Sequence, residues 1–394
     1  MTWTVPRDWR VCAALPAVVV WAGTWLYAQT STTHGKSTPA AMPTPSVYVH
    51  STPANVVLGV FPIERTPVAR VSSGAVVRID TLSQRGATQA EDPMMFFGKY
   101  GVRPEEILSD VKDLWAARAA QPRGDRGGGG HVLTGPIYVE GAEPGDTLAV
   151  EMLDISTRVP YGINSTSSTS GIFSPNYPAG KDDAIPEMAN TSHLIRTGTA
   201  NGRAVAFFSD TIHVPMQPFF GTVAVAPDHP TVGQPGVRVD GLQTSGPPGV
   251  YGGNMDFRDL TVGSTLYLPV FHSGALFYVG DPHGGQGDGE VSGNAIEQSL
   301  TGVFRFTVLK RKRINGPRAE DAAHYFLMGI DLDLNRAMRK AVLETMDFLI
   351  KEKGLTADQA LSLCSVGVDF RIAEVVDTTQ VVVGSVPKSL FLKP

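Results

Sequence analysis

The sequence predicts a mainly β protein, sandwich- or barrel-like, with an α+β portion at its C-terminal end. Three observations lead there. Short β-branched or apolar runs recur along the chain, each bounded by Gly, Pro, Asp or Asn, which is the pattern of strands separated by turns. The 394 residues include 42 Gly and 29 Pro, more turn punctuation than a helix bundle uses. Helical periodicity is sparse and late, so strands segregate from helices instead of alternating with them.

Taken in order, residues 1–28 place Arg7 and Arg10 before an uncharged apolar stretch, interrupted by Pro16, Gly23 and Thr24. A basic region followed by an apolar one is what a secretory signal peptide needs, with an N-terminal anchor as the alternative. Residues 29–46 are rich in Ser, Thr and Pro and read as a disordered linker. The expectation is a periplasmic or secreted protein, with no stable membrane partner once the leader is cleaved. Cys12 lies in the leader, which leaves Cys364 as the one mature cysteine, in an apolar stretch where core packing is its natural role.

The mainly β body spans 47–310, with strands expected at 47–60, 75–79, 137–140, 147–155, 204–208, 222–226, 265–270 and 302–309, and a short helix over 104–120. Residues 311–394 form the α+β portion. Leu334, Met338, Ala341, Val342, Met346, Leu349 and Ile350 fall on one helical stripe between Asp333 and Lys353, and Gly354 is placed to end it. Thr356 and Gln359 have capping-box spacing for a second helix to about Cys364. Strands at 369–376 and 379–383 close the chain.

Lys plus Arg is 33 against 38 for Asp plus Glu, a net charge of −5, which argues against a nucleic-acid partner. The basic run Lys310 to Arg313 reads as a solvated strand end.

Two stretches, both read as loops, concentrate ligand-grade side chains. Residues 271–290 carry His272, Asp281, His283, Gln286, Asp288 and Glu290 among many glycines, which let a backbone turn tightly enough for these groups to converge. Nitrogen and oxygen donors without thiolate suit a divalent metal, zinc favoured, with calcium as the choice if carboxylates and carbonyls dominate. Residues 131–146 carry His131, Glu140, Glu143 and Asp146. Glu140 ends a strand-like run where a side chain can face a cleft, whereas 143–146 has the chemistry of a turn. The bland reading of both stretches is polar turns capped by carboxylates.

Residues 135–146 (GPIYVEGAEPGD), 218–227 (PFFGTVAVAP), 252–256 (GGNMD) and 280–290 (GDPHGGQGDGE), in that order, together with a tail ending in Val386-Pro387-Lys388, resemble the acetamidase/formamidase family over essentially the whole mature chain. The resemblance implies hydrolysis of the C–N bond of small linear amides to a carboxylate and ammonia, by a mostly β fold that assembles into homo-oligomers. It places catalytic roles on Glu140, His131, Asp256 and Asn254. It places metal binding on His272, Asp281, His283, Asp288 and Glu290, and substrate binding on Phe220 and Gln286. Glu140 is the carboxylate expected to move protons between water and the leaving amine. Phe219, Met255, Phe271 and Phe277 are further candidates for pocket walls. Departures from the family pattern are Gly284, Gly285 and Tyr278, and Glu374 where a glutamine is expected. A small cyclic amide is an alternative substrate, and an exported, non-catalytic metal- or ligand-binding β protein is the alternative from another class.

Overall fold

A computed structural model of the protein describes residues 42–118, 130–175, 177 and 184–392. The leader and most of the linker read above lie outside them. Along the chain run β1 (Val47–Val49), β2 (Val56–Leu58), β3 (Ala69–Val71), β4 (Val76–Asp80), α1 (Pro93–Gly98), α2 (Ser109–Ala117), β5 (Val132–Val139), β6 (Thr147–Thr157) and β7 (Tyr161–Thr166). There follow β8 (Thr191–Ala200), β9 (Arg203–Phe207), β10 (His213–Pro215), β11 (Phe219–Ala224), β12 (Gly252–Asn254), β13 (Thr265–Pro269), β14 (Phe277–His283) and β15 (Leu300–Leu309). The last elements are β16 (Arg318–Glu320), β17 (His324–Asp331), α3 (Leu334–Lys353), α4 (Ala357–Gly367), β18 (Asp369–Asp377) and β19 (Thr379–Pro387).

The strands form a nine-stranded sheet in the order β1-β4-β15-β6-β13-β16-β17-β19-β18 and a six-stranded one, β12-β11-β14-β5-β2, with β3 beside β5. A four-stranded ribbon, β10-β9-β8-β7, completes the set. One core is shared by the two larger sheets. Val77, Leu148, Val150, Leu266 and Phe304 from the first pack with Leu133, Ile137, Phe220, Val223 and Phe277 from the second. Phe304 lies 5.3 Å from Phe220 and 6.0 Å from Phe277, ring centre to ring centre, which ties the layers together. The architecture is therefore the expected β sandwich with C-terminal helices. The nine-stranded sheet runs across residue 310 without a break, because β13 pairs with β16.

Several local expectations change. The run at 47–60 is two short strands in different sheets, since residues 50–55 turn between them. The helix expected from 104 begins instead as a single 3-10 turn, Pro104–Glu106, and α2 starts at Ser109. Both stretches read as loops contain a strand, β5 in one and β14 in the other. Asp146 does hold a turn, accepting from the Glu143 amide at 2.9 Å, and it also receives Lys310 Nζ at 2.5 Å.

The C-terminal helices have the caps the sequence called for. Asp333 accepts from the Arg336 amide to start α3, and Gly354 ends it with φ of 71°, a conformation that favours a residue without Cβ. Thr356 and Gln359 cap α4 reciprocally. The buried face of α3 is Ala337, Ala341, Thr345, Phe348 and Leu349, so the expected stripe is rotated and Met338 and Ile350 reach solvent. Cys364 is core, packed with Leu327, Phe348 and Leu349.

Candidate active site

β14 is the central strand of the smaller sheet and all seven of its residues are buried. Its last turn outward places Asp281 and His283, two residues apart, on the same side of the strand. Gly221 of β11 lies between Phe220 and Thr222, which pair with Pro282 and Gly280. A Cβ at Gly221 would stand 2.2 Å from Asp256 Oδ1 and 2.6 Å from Asp281 Oδ2. The missing side chain is thus the space in which the carboxylates meet. The Gly221 carbonyl also accepts from the Met255 and Asp256 amides at 3.0 and 3.3 Å, which pins the loop that delivers Asp256. Asp256, Asp281 and Glu290 have φ of 43°, 51° and 46°. Such left-handed backbone is uncommon for non-glycine residues, and three instances at one centre mark a strained, functional arrangement.

His283 occupies the middle of the centre and is fully buried. Its Nε2 lies 3.3 Å from Asp281 Oδ1 and 3.5 Å from Glu297 Oε1, and its Nδ1 lies 3.6 Å from Asp256 Oδ1. Gln286 sets the ring. Its Nε2 donates to the Asp256 carbonyl at 2.8 Å, so its Oε1, 3.0 Å from His283 Nδ1, accepts the proton carried there. The Phe219 ring packs edge-on against the imidazole at 5.1 Å. His131 stands at the rim, with Nε2 3.9 Å from Asp281 Oδ2 and Nδ1 2.9 Å from Ser245 Oγ.

Burial opposes charge on His283, but Asp281 and Glu297 outweigh it and hold the imidazole pKa well above its ordinary value. Burial likewise works to raise Asp281, yet the His283 and His131 rings prevail and keep that carboxyl at about 2. Asp256, Glu290, Glu374 and Asp377 go the other way. Burial, reinforced by neighbouring carboxylates, pushes all four well above the usual carboxylate range. The centre holds more acidic groups than its own cations can balance.

The donor set fits a divalent ion. Asp256, Asp281 and His283 each offer an atom, all within 4.8 Å of one another, as do His283, Glu290 and Glu297. Both Asp256 oxygens and His283 Nε2 are buried without a hydrogen-bond partner, which is costly unless a cation or proton satisfies them.

The family model for acetamidases and formamidases matches residues 128–245 and 231–393. The chain belongs to the acetamidase/formamidase family. It is 28% identical to a formamidase of Methylophilus methylotrophus over 307 residues, covering 63% of this chain and 73% of that one. It is 32% identical to an acetamidase of Mycolicibacterium smegmatis over 292 residues, covering 58% and 71%. Solved acetamidase structures from Bacillus halodurans and Yersinia enterocolitica share the fold. The first superposes at a TM-score of 0.67 and 23% identity, covering 87% of this chain and 98% of that one. The second has the same TM-score at 24% identity, covering 89% and 94%.

In this acetamidase/formamidase family member the structure brings His131, Asp256, Asp281, His283, Gln286 and Glu290 together. Five other expected site residues are not part of the centre. Glu140 is exposed at the far end of β5, roughly 25 Å of strand from His131, and accepts from Ser72. His272 precedes β14, at the end away from His283, and its Nε2 meets the Pro227 carbonyl at 2.8 Å. Asp288 is outside the cluster, bound by Arg371 and Arg258. Asn254 takes the Thr222 hydroxyl at 2.6 Å, and Phe220 belongs to the core. Conversely, Glu297, Asp377 and Gly221 belong to the centre without a motif that marks them in the sequence. Glu297 precedes β15 with no spacing signal, and Asp377 reads as a turn carboxylate. Glu374 was visible only as a departure from the family pattern.

Proposed function

We propose that this enzyme hydrolyses small linear amides, formamide or acetamide in kind, to a carboxylate and ammonia at the Asp256–Asp281–His283–Glu290–Glu297 centre. The observation that carries the assignment is the buried, partnerless Asp256 carboxylate beside His283 in a chain of this family. Asp256, Asp281 and His283 would hold a divalent ion, zinc favoured by the mixed nitrogen and oxygen donors, and such an ion supplies Lewis-acid polarisation and a water of lowered pKa.

The chain's own residues supply the rest. Glu297 turns Oε1 toward His283 Nε2 at 3.5 Å. Gln84 Nε2 and the Ala295 amide fix its two oxygens at 2.9 and 3.1 Å. Its place beside His283 and Glu290 makes Glu297 the carboxylate that takes the proton from the attacking water and returns it to the departing nitrogen, the role that Glu140 is too distant to play. Gln286 and Ser245 orient the two imidazoles, and the sealed surroundings keep bulk water from screening the charges. Ammonia release from formamide and acetamide is the direct assay. Glu297→Gln is expected to lower kcat by roughly 10²–10⁴-fold with KM little changed. Wild-type turnover in that variant would remove Glu297 from the chemistry, and no ammonia from any short amide would remove the activity itself.

Export and assembly extend the same reading. The leader composition supports a periplasmic or secreted enzyme, and N-terminal sequencing of protein from the native host decides it: a chain beginning between about 23 and 46 supports export, an intact Met1 on soluble enzyme does not. Homo-oligomerisation is the expected assembly, and sedimentation at micromolar concentration tests it.

A further inference from the structure

We infer that the inner half of the centre is a second divalent-cation site, built from Asp256, Glu290 and Asp377 with Glu374 beside them, so that Asp256 serves two ions. The inference rests on the reading that Asp256, Asp281 and His283 hold the first. The two triads have only Asp256 in common, and each brings one atom per residue to within 4.8 Å of the others. A carboxylate common to two donor triads is the arrangement that keeps a metal pair at about 3.5–4 Å, and Glu290 of the inner triad also comes within 4.8 Å of His283, so the two sets adjoin.

The second observation concerns hydrogen bonding, not spacing. Asp256 is 1% exposed and Glu374 0%, yet both Asp256 oxygens, Glu374 Oε1 and Asp377 Oδ2 have no hydrogen-bond partner. Glu374 is not adrift. Its Oε2 accepts from the Val376 and Asp377 amides at 2.9 and 3.2 Å, so its free oxygen is held in place, not left to rotate. The register of β18 against β19 shifts on both sides of Glu374, and the Gly289 amide bonds the Ala373 carbonyl at 2.8 Å, which brings the Glu290 and Glu374 segments together. The His283 imidazole, shared with the first donor set, faces this half from 3.6 Å at Asp256. Among the described residues no ion pair reaches Glu290, Glu374 or Asp377, and the nearby Arg371 and Arg258 are taken by Asp259 and Asp288.

The two halves differ in kind. The first includes an imidazole, whereas the second is all carboxylate oxygen, a set that selects hard ions such as Mg²⁺, Mn²⁺ or Ca²⁺ over zinc.

Stoichiometry tests the inference without reference to turnover. The full chain, stripped with a chelator and titrated with Mn²⁺, is expected to retain two equivalents after gel filtration, with the spin coupling of a close pair in the electron paramagnetic resonance spectrum. Asp377→Asn should retain one equivalent and lose the coupling, with circular dichroism unchanged. Should that variant fail to fold, Glu374→Gln is expected to weaken the second equivalent at least tenfold. A wild-type chain holding one equivalent, or an Asp377→Asn chain still holding two, overturns the second site; one equivalent means Asp256 and Asp377 share a proton instead, with the first site intact. A wild-type chain holding none removes the first metal site as well, while ammonia release from formamide, assayed separately, reports on the amidase reading.

Discussion

Gly221 controls the centre by having no side chain. Its absent Cβ would overlap Asp256 Oδ1 and Asp281 Oδ2 and approach His283 Cε1 at 2.9 Å, and none of these groups can yield, because each is buried. Gly221→Ala is therefore expected to fold yet lose bound metal and reduce ammonia release by on the order of 10²-fold, as misplacement of a reacting group by an ångström does. Metal content and activity of the purified variant check this; wild-type values for both would show that the carboxylates can part without consequence. The residue scale is also where the sequence was most legible in identity and least in role. His283, Asp281, Asp256 and Glu290 are distinctive because carboxylates and imidazoles in glycine-rich segments have few structural uses. Glu140, in an equally suggestive position, fails because strand length separates the two ends of β5. Glu297 was silent because its partners, Gln84 and His283, are remote in sequence.

Among the elements, the helical segment over 92–117 is fastened to the sheets by ion pairs. Arg196 of β8 grips Glu106 at 2.8 Å, and Arg158 joins Asp110 at 2.7 Å. The Arg196 hydrogen bond, aided by the Arg103 amide, holds the Glu106 carboxyl at about 2, below its ordinary value of 4.5. A depressed carboxyl stabilises the fold above its unfolded pKa and ceases to as pH falls through its folded one. The contribution is accordingly complete above about pH 4.5 and disappears between there and pH 2. Glu106→Gln should melt below wild type at pH 6, with the gap closing as the solution is acidified toward pH 3. A gap constant with pH would show that the pair does not report the carboxylate's charge. At the other end of the chain, Thr356→Ala removes the α4 cap and is expected to cost about 1 kcal/mol in chemical denaturation. That cap was readable because both of its partners lie within four residues. β14 was not: glycine, proline, aspartate and histidine all disfavour strands, and only burial between β11 and β5 makes one of it. The stripe of α3 was found but misaligned, because the sheet beneath it accepts Thr345, whose hydroxyl donates to the Ala341 carbonyl at 2.7 Å, as readily as an apolar side chain.

For the whole molecule, an ion bound at this centre would link activity to stability. An ion that binds the folded centre and not the unfolded chain stabilises by about 2.7 kcal/mol at a hundredfold excess over its Kd. Exhaustive dialysis against a chelator should abolish ammonia release and lower Tm by on the order of 5 °C, both reversed by adding back the divalent ion. Loss of activity with Tm unmoved would place the ion at an exposed site instead of this buried one.

The centre draws its groups from His131 through Asp377, and the last of them arrive on β18, which is held by β19 and through it by β17. A ribosome must therefore have released the chain through β19 before the pocket exists. Until then the early carboxylates offer a cation only isolated ligands, and any choice among metals would fall to the folded centre. An ion held at this centre would be one available in the compartment where the strands close.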